Sequence, residues 1–234
     1  MELLYEGKAK KVFETESPNE VIILFKDDAT AFNGIKKDNI KGKGRVNLAF
    51  TRYFFELLQS QGVETHIVSF LDEISLKAKK VKIFPIELVV RNLAAGSICK
   101  RLGFKKGFKF TPPLCETFLK DDALGDPILC ETHIMHLNLL SEEELNLIKQ
   151  TALKINSIMF SHLDSKGITL VDFKLEFGKS SDGKILLADE ISPDTCRFWI
   201  KGSMESLDKD VYREDKGDLV ASYCKLAEIL GVKL

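Results

Sequence analysis

In LVDFKLEFGK, residues 170–179, three ionisable residues alternate with apolar ones. Successive side chains on a strand point to opposite faces, so Asp172, Lys174 and Glu176 form one row and Val171, Phe173, Leu175 and Phe177 pack beneath them. A water-facing antiparallel sheet produces the same alternation. The next hairpin arm shifts the balance. After the turn Ser181-Asp182-Gly183, the stretch KILLADEISPDTCRFW carries Asp189, Glu190, Asp194 and Arg197 back alongside the first strand. Carboxylates gathered this closely repel unless a cation sits among them, and hard oxygen ligands with few histidines select magnesium or manganese over zinc. Lys174, between two acids, keeps its charge and can reach a phosphate or a substrate carboxylate. The expected chemistry is metal-assisted handling of an anionic substrate.

Two further pieces suit phosphate. Lys8 and Lys10 follow Gly7 and share a strand face; with no Walker motif present, a solvated strand edge is the competing reading. In VVRNLAAGSICKRLG, Arg91 ends an apolar strand and Ser97 is expected to cap a short helix that Gly103 closes. Free amides at a helix start beside a guanidinium suit a phosphate monoester, although a capped connector with a surface arginine reads the same way. His133 and His136 lie three apart with no third metal ligand in view, and no Ser/His/Asp or Cys/His arrangement follows from spacing.

The elements that must hold these residues give an α+β reading. Strand signals at KAKKVFET, EVIILFK and THIVSFL, with turns at Ser17-Pro18-Asn19 and Asn33-Gly34, predict a small antiparallel sheet within the first eighty residues. One helix interrupts it, with Val46, Ala49, Phe50, Tyr53, Phe54 and Leu57 as its buried stripe and Gly62 as its stop. Pro85, in KKVKIFPIELVVRN, marks a hinge and divides the chain into residues 1–82 and 83–234. Beyond it the pattern predicts a Gly/Pro-rich connection (103–127), a long helix opening with the capping box Ser141/Glu144 and ending at Gly167, the central hairpin, and a last helix from Asp218 to about Leu230.

Bulk properties narrow the classes. A chain of 234 residues, 44% hydrophobic and 29% charged, can bury one large or two modest cores. A net charge of −1 gives no overall positive field for nucleic acid. Five cysteines without a C-x-x-C pair suit a reducing cytoplasm. No secretory signal opens the chain and no apolar run is long enough for a bilayer, so a soluble protein without membrane contact is expected.

Six stretches together, YEGKAKKVF, KDDATAFNG, KGKGRVN, VRNLAAGS, LVDFKLEFG and DEISPDTCRFW, resemble in order and spacing the phosphoribosylaminoimidazole-succinocarboxamide synthase family of purine biosynthesis. The resemblance spans nearly the whole chain. It implies an ATP- and magnesium-dependent ligase that joins L-aspartate to the carboxylate of a phosphoribosyl carboxyaminoimidazole, releasing ADP and phosphate. It also implies a two-domain fold, a small antiparallel domain like a kinase amino-terminal lobe and a larger α+β domain with ATP in the cleft between, usually within a homodimer. Carried over by motif, Lys8, Lys10 and Lys120 contact nucleotide, the hinge from Ile83 to Glu87 receives adenine, and Glu176 with Asp189 holds magnesium. Arg91, Ser97, Arg197 and Asp194 match substrate contacts, and Asp172, Lys174 and Arg197 match catalytic positions. After Trp199, where many members have an acid, this chain has Ile200, Lys201 and Gly202. A small-molecule kinase is the rival enzyme, since the same lysines, hinge and carboxylate pair would serve a hydroxyl acceptor; VRNLAAGS and SPDTCR favour the ligase. A nucleotide sensor without turnover is the rival of another class.

Overall fold

A computed structural model of the chain describes residues 2–31 and 35–234; the expected Asn33-Gly34 turn lies outside the described residues. Strand alternation builds the first sheet. β1 (Leu3–Glu6), β2 (Lys10–Glu14) and β3 (Glu20–Phe25) form a meander, and every second residue of β3, Val21, Ile23 and Phe25, is buried. A separate hairpin of β4 (Asp28–Ala31) and β5 (Lys36–Asn39) comes next. Helix α1 (Lys43–Ser60) then leads to β6 (Ile67–Phe70) and β7 (Ser75–Lys79). Five of these strands make an antiparallel sheet in the order β1-β2-β3-β7-β6.

Helix α1 wedges between this five-stranded sheet and the larger sheet of the molecule. Its Leu48 packs with Val21, Ile23, Phe25, Leu76 and Ala78 of the small sheet. Its Val46, Phe50, Phe54, Phe55 and Leu58 enter the large core, where Phe54 stacks on Phe198 at 5.8 Å. Leu58, rather than the expected Leu57, is the fully buried leucine of the last turn. Each such phenylalanine or leucine contributes roughly 1.5–3 kcal/mol by leaving water, so this one helix holds both sheets in register.

The second sheet is built on one long strand. β8 (Val81–Ile83) and β9 (Ile86–Leu93) flank Pro85, followed by α2 (Ser97–Leu102), β10 (Lys109–Leu119), a 3-10 turn (Asp122–Leu124), β11 (Ile128–Leu129) and α3 (Glu131–His136). Helix α4 (Glu142–Ser165) opens with the expected capping box, Ser141 Oγ accepting from Glu144 N and the Glu144 carboxylate accepting from Ser141 N. β12 (Ile168–Ser180), β13 (Ile185–Ala188) and β14 (Cys196–Ile200) follow, then α5 (Asp210–Arg213) and α6 (Leu219–Leu230), the last capped by Asp218. The sheet runs β11-β10-β9-β12-β13, with β14 and β8 also paired to β12.

Two local expectations fail for identifiable reasons. Residues 109–119 form a strand rather than a loose connection, because Pro112 and Pro113 fall where the ladder to β9 is interrupted, between Lys109 and Leu114, and no backbone donor is needed there. The register of β12 against β14 likewise slips between Leu170 and Asp172. This irregularity turns Val171 out of the main core into a small cluster with Ala95 and Trp199, while Leu170, Phe173, Leu175 and Phe177 remain in the main core.

Candidate active site

Register alone puts charges beside one another on β12. Asp172 lies opposite Arg91 of β9 on one side and Arg197 of β14 on the other. Its carboxylate accepts from Arg91 Nη1 at 2.7 Å and from Arg197 Nη1 at 3.0 and 3.1 Å. Two residues on, Lys174 Nζ reaches Glu176 at 2.5 Å, Glu87 at 3.1 Å and Asp189 at 3.2 Å. Burial alone would lower the pKa of this ammonium. The carboxylates of Glu176, Asp189 and Glu87 reverse that and hold its pKa well above an ordinary lysine's. Glu176, only 3% exposed, also accepts from Lys120.

Asp189 ends the arm after β13 with a left-handed backbone, φ 59°, which aims its carboxylate back across the hairpin. Burial opposes its ionisation, but Lys10 and Lys174 outweigh that and hold it well below the usual carboxylate range. Lys10 donates to Asp189 and lies 3.8 Å from Glu190. Glu190 is buried, one of its oxygens has no hydrogen-bond partner, and desolvation raises its pKa. Lys8 pairs with Asp122 across the cleft. The residues expected to hold phosphate and those expected to hold metal thus neutralise one another here.

Two joined cavities meet at this row. The larger, about 590 Å³, lies between the sheets and contains Lys8, Lys10, Ile83, Glu87, Lys120, Lys174, Glu176 and Asp189 in its walls. The smaller, about 290 Å³, is lined by Arg91, Asp172, Lys174, Asp194 and Arg197. Lys8, Glu87, Lys174 and Glu190 face both. One wall of the larger cavity, Val12, Val21 and Ile23, is apolar and suits a flat ring. His133 and His136 stay exposed on α3 and line neither cavity.

Ser97 does not cap α2. Gly96 holds the cap position at φ 62°, ψ −128°, and Ser97 is the first helical residue. Its Oγ accepts from Arg91 Nη2 at 3.4 Å. A Cβ at Gly96 would sit 2.5 Å from Arg197 Nη2, and Arg197 cannot swing away because Asp172 and Asp210 grip it. Gly96→Ala is therefore expected to combine about 1–3 kcal/mol of backbone strain with a displaced Arg197. Turnover should fall even where thermal denaturation shows a folded protein; unchanged kinetics would mean that the guanidinium position is not critical.

Arg91 is not a free cation at the surface. It is 3% exposed, with Nε on Glu116 at 2.7 Å and Nη1 on Asp172. Several residues here carried no sequence signal. Lys43, wholly buried at the start of α1, binds Asp194 at 2.7 Å. Tyr223 of α6 donates to the same carboxylate at 2.6 Å, and Lys209 approaches it at 3.4 Å. KGKGRVN marks the lysine only as part of a motif, and nothing in its spacing reveals the burial.

His66 is another such residue. It lines the larger cavity, its Nε2 has no partner, and its backbone ties the sheets together, N donating to Leu187 O and O accepting from Lys79 N. Burial, aided by Lys10, lowers its pKa to about 4. A histidine neutral when folded and protonated when unfolded stabilises fully above its unfolded pKa near 6.5, and that stability is lost as pH falls toward 4. Between pH 7 and 5 this amounts to about 2 kcal/mol. Urea unfolding of the unaltered protein should therefore weaken by that much more over this range than unfolding of His66→Gln; parallel pH dependences would contradict a buried neutral imidazole.

Comparison with known proteins gives a consistent result. A family model for SAICAR synthetase matches residues 3–229. The phosphoribosylaminoimidazole-succinocarboxamide synthase of Caldanaerobacter subterraneus subsp. tengcongensis is 54% identical over 225 residues, 96% of this chain and 95% of the relative. The crystal structure of the Ehrlichia chaffeensis phosphoribosylaminoimidazole-succinocarboxamide synthase superposes with a TM-score of 0.96 at 43% identity, covering 100% of both chains. A SAICAR synthetase solved in complex with ADP superposes with a TM-score of 0.93 at 47% identity, covering 97% of this chain and 96% of that one.

Proposed function

The chain belongs to the SAICAR synthetase family and is an ATP-dependent ligase of purine biosynthesis, and we propose that its two joined cavities divide the work of that condensation. In this reading residues 1–82 supply most of the grip on the nucleotide phosphates and residues 83–234 hold the acceptor and the metal. The observation that carries it is Lys174, which stands on the shared wall with carboxylates on the nucleotide side and the Arg91/Asp172/Arg197 cluster on the other. ATP occupies the larger cavity, with adenine by Ile83 to Glu87 and phosphates toward Lys8, Lys10 and Lys120. The phosphoribosyl carboxyaminoimidazole occupies the smaller one, with Arg197, Ser97 and Arg91 on its phosphate side.

Glu176 and Asp189 fit magnesium. Glu176 is buried and Asp189 half-buried, both lie within reach of one ammonium, and they open toward the phosphate space rather than enclosing a cage, the arrangement magnesium favours when phosphates complete its shell. Among the described residues no group of three or more acids, histidines or cysteines forms a self-sufficient metal cage. Bound magnesium would neutralise charge on the β- and γ-phosphate oxygens. Lys8, Lys10 and Lys174 offset phosphate charge while the imidazole carboxylate attacks the γ-phosphorus and displaces ADP, and the amine of aspartate then attacks the acyl carbon, releasing inorganic phosphate and a proton as the amide forms. Positioning and charge stabilisation supply the acceleration, so no histidine or cysteine nucleophile is required. A cytoplasmic homodimer belongs to the same reading and rests on family likeness.

The kinase alternative is not favoured. ADP release should require both the imidazole ribonucleotide and L-aspartate; ADP formed at an equal rate without aspartate would overturn the ligase reading.

A further inference from the structure

We infer that Lys10 and Lys120 are built-in occupants of the Glu176/Asp189 carboxylate pair, so that a divalent cation enters only together with nucleotide phosphates that draw these lysines away. The inference rests on the nucleotide and metal placement above and deepens it. It starts from the four oxygens of the pair, each of which has an ammonium partner. Glu176 Oε1 lies 2.5 Å from Lys174 Nζ, and its Oε2 accepts from Lys120. Asp189 Oδ1 accepts from Lys10, and its Oδ2 lies 3.2 Å from Lys174 Nζ. A cation arriving alone must therefore displace an ammonium that gives up a charge-assisted contact and gains none in return.

Charge balance points the same way. Glu87 lies 3.1 Å from Lys174 and Glu190 3.8 Å from Lys10, so the carboxylates of Glu87, Glu176, Asp189 and Glu190 face the ammonium groups of Lys10, Lys120 and Lys174. The cluster is one charge from neutral, and the lysines supply the cation that such closely set acids require. A divalent cation alone would add positive charge beside three ammonium groups. Polyphosphate alone would bring negative charge to the acids. Arriving together the two nearly cancel: phosphates take Lys10 and Lys120, and the cation takes the oxygens they leave. The three lysines are not equivalent in this exchange. Lys174 stands on the central strand β12 and touches both acids, which keeps their spacing when the others leave. Lys120 follows the last residue of β10 and is 40% exposed, so its side chain can turn; Lys10 reaches across from β2 of the other sheet. Each ligand must then raise the affinity for the other by the same factor.

The test is manganese titration followed by water-proton relaxation, which reports the ion held by protein, on the unaltered chain, Lys120→Met, Lys120→Arg and Glu176→Gln. Each is titrated without nucleotide, with adenosine and with ADP, and thermal denaturation is the folding control. Without nucleotide, Lys120→Met should bind manganese about ten- to hundredfold more tightly than the unaltered chain, because one charged competitor is gone. Lys120→Arg keeps the charge and should stay within about threefold of the unaltered chain. ADP should promote manganese binding to the unaltered chain, whereas adenosine, with no phosphate to draw the lysines, should not. Equal nucleotide-free affinity in Lys120→Met and the unaltered chain, or promotion by adenosine as strong as by ADP, would overturn the inference. If Lys120→Met fails to fold, Lys10→Met decides by the same readings. With ADP present, Glu176→Gln should weaken manganese binding; if it does while Lys120→Met gains nothing, the exchange alone fails. If Glu176→Gln leaves that binding unchanged, the metal placement fails and the inference with it.

Discussion

Glu176→Gln is expected to lower kcat about 10²–10³-fold, the range seen when one electrostatic contact to a reacting centre is removed. Glutamine keeps the shape of the side chain, which is buried at 3% exposure, and removes its charge. Lys174 would retain Glu87 and Asp189, and Lys120 is 40% exposed and can turn to water. The folded state should therefore lose only about 1 kcal/mol. Turnover, nucleotide affinity with and without magnesium, and thermal denaturation measured together separate the outcomes. A folded variant with full turnover would remove Glu176 from the proposed metal site.

Arg91→Ala is expected to destabilise the protein by about 3–5 kcal/mol, because it removes two buried charge-assisted hydrogen bonds and leaves Glu116 with Arg101 alone and Asp172 with Arg197 alone. The side chains left behind are Glu116 and Asp172, both under 10% exposed. Urea unfolding should show a lower midpoint with an unchanged slope. Arg91→Lys should fall between the two proteins, since an ammonium keeps the charge and cannot reproduce the fork. This variant is consequently a poor probe of ribonucleotide affinity by itself. An unfolding midpoint equal to that of the unaltered protein would mean that Arg91 does not hold its two acids in solution.

Alternation on residues 170–179 is enough to put Asp172, Lys174 and Glu176 on one face, which lines the two cavities, and the hairpin that returns Asp189 is legible from its turn residues. The caps of the long and final helices were legible for the same reason, since their chemistry is local. What escaped is non-local. Val171 leaves the main core because of a register slip that no periodicity announces. Ser97 looked like a cap because serine usually is one, but the chain needs a glycine at position 96 to clear Arg197. Lys43 and Lys209 meet Asp194 across 151 and 15 residues of sequence, and only folding brings them together. Arg91 read as a free phosphate ligand because its acidic neighbour Glu116 is 25 residues away, on the next strand.

The proposed chemistry needs a divalent cation between the central strand and its hairpin partner. Anomalous diffraction from crystals grown with ADP and manganese, a magnesium substitute with a strong signal, tests this directly. The expected peak lies about 2.0–2.2 Å from oxygens of Glu176 and Asp189 and from the nucleotide phosphates, with Lys10 and Lys120 moved from these carboxylates onto phosphate. A peak bound elsewhere, with Lys10 still on Asp189 and Lys120 still on Glu176, would contradict it.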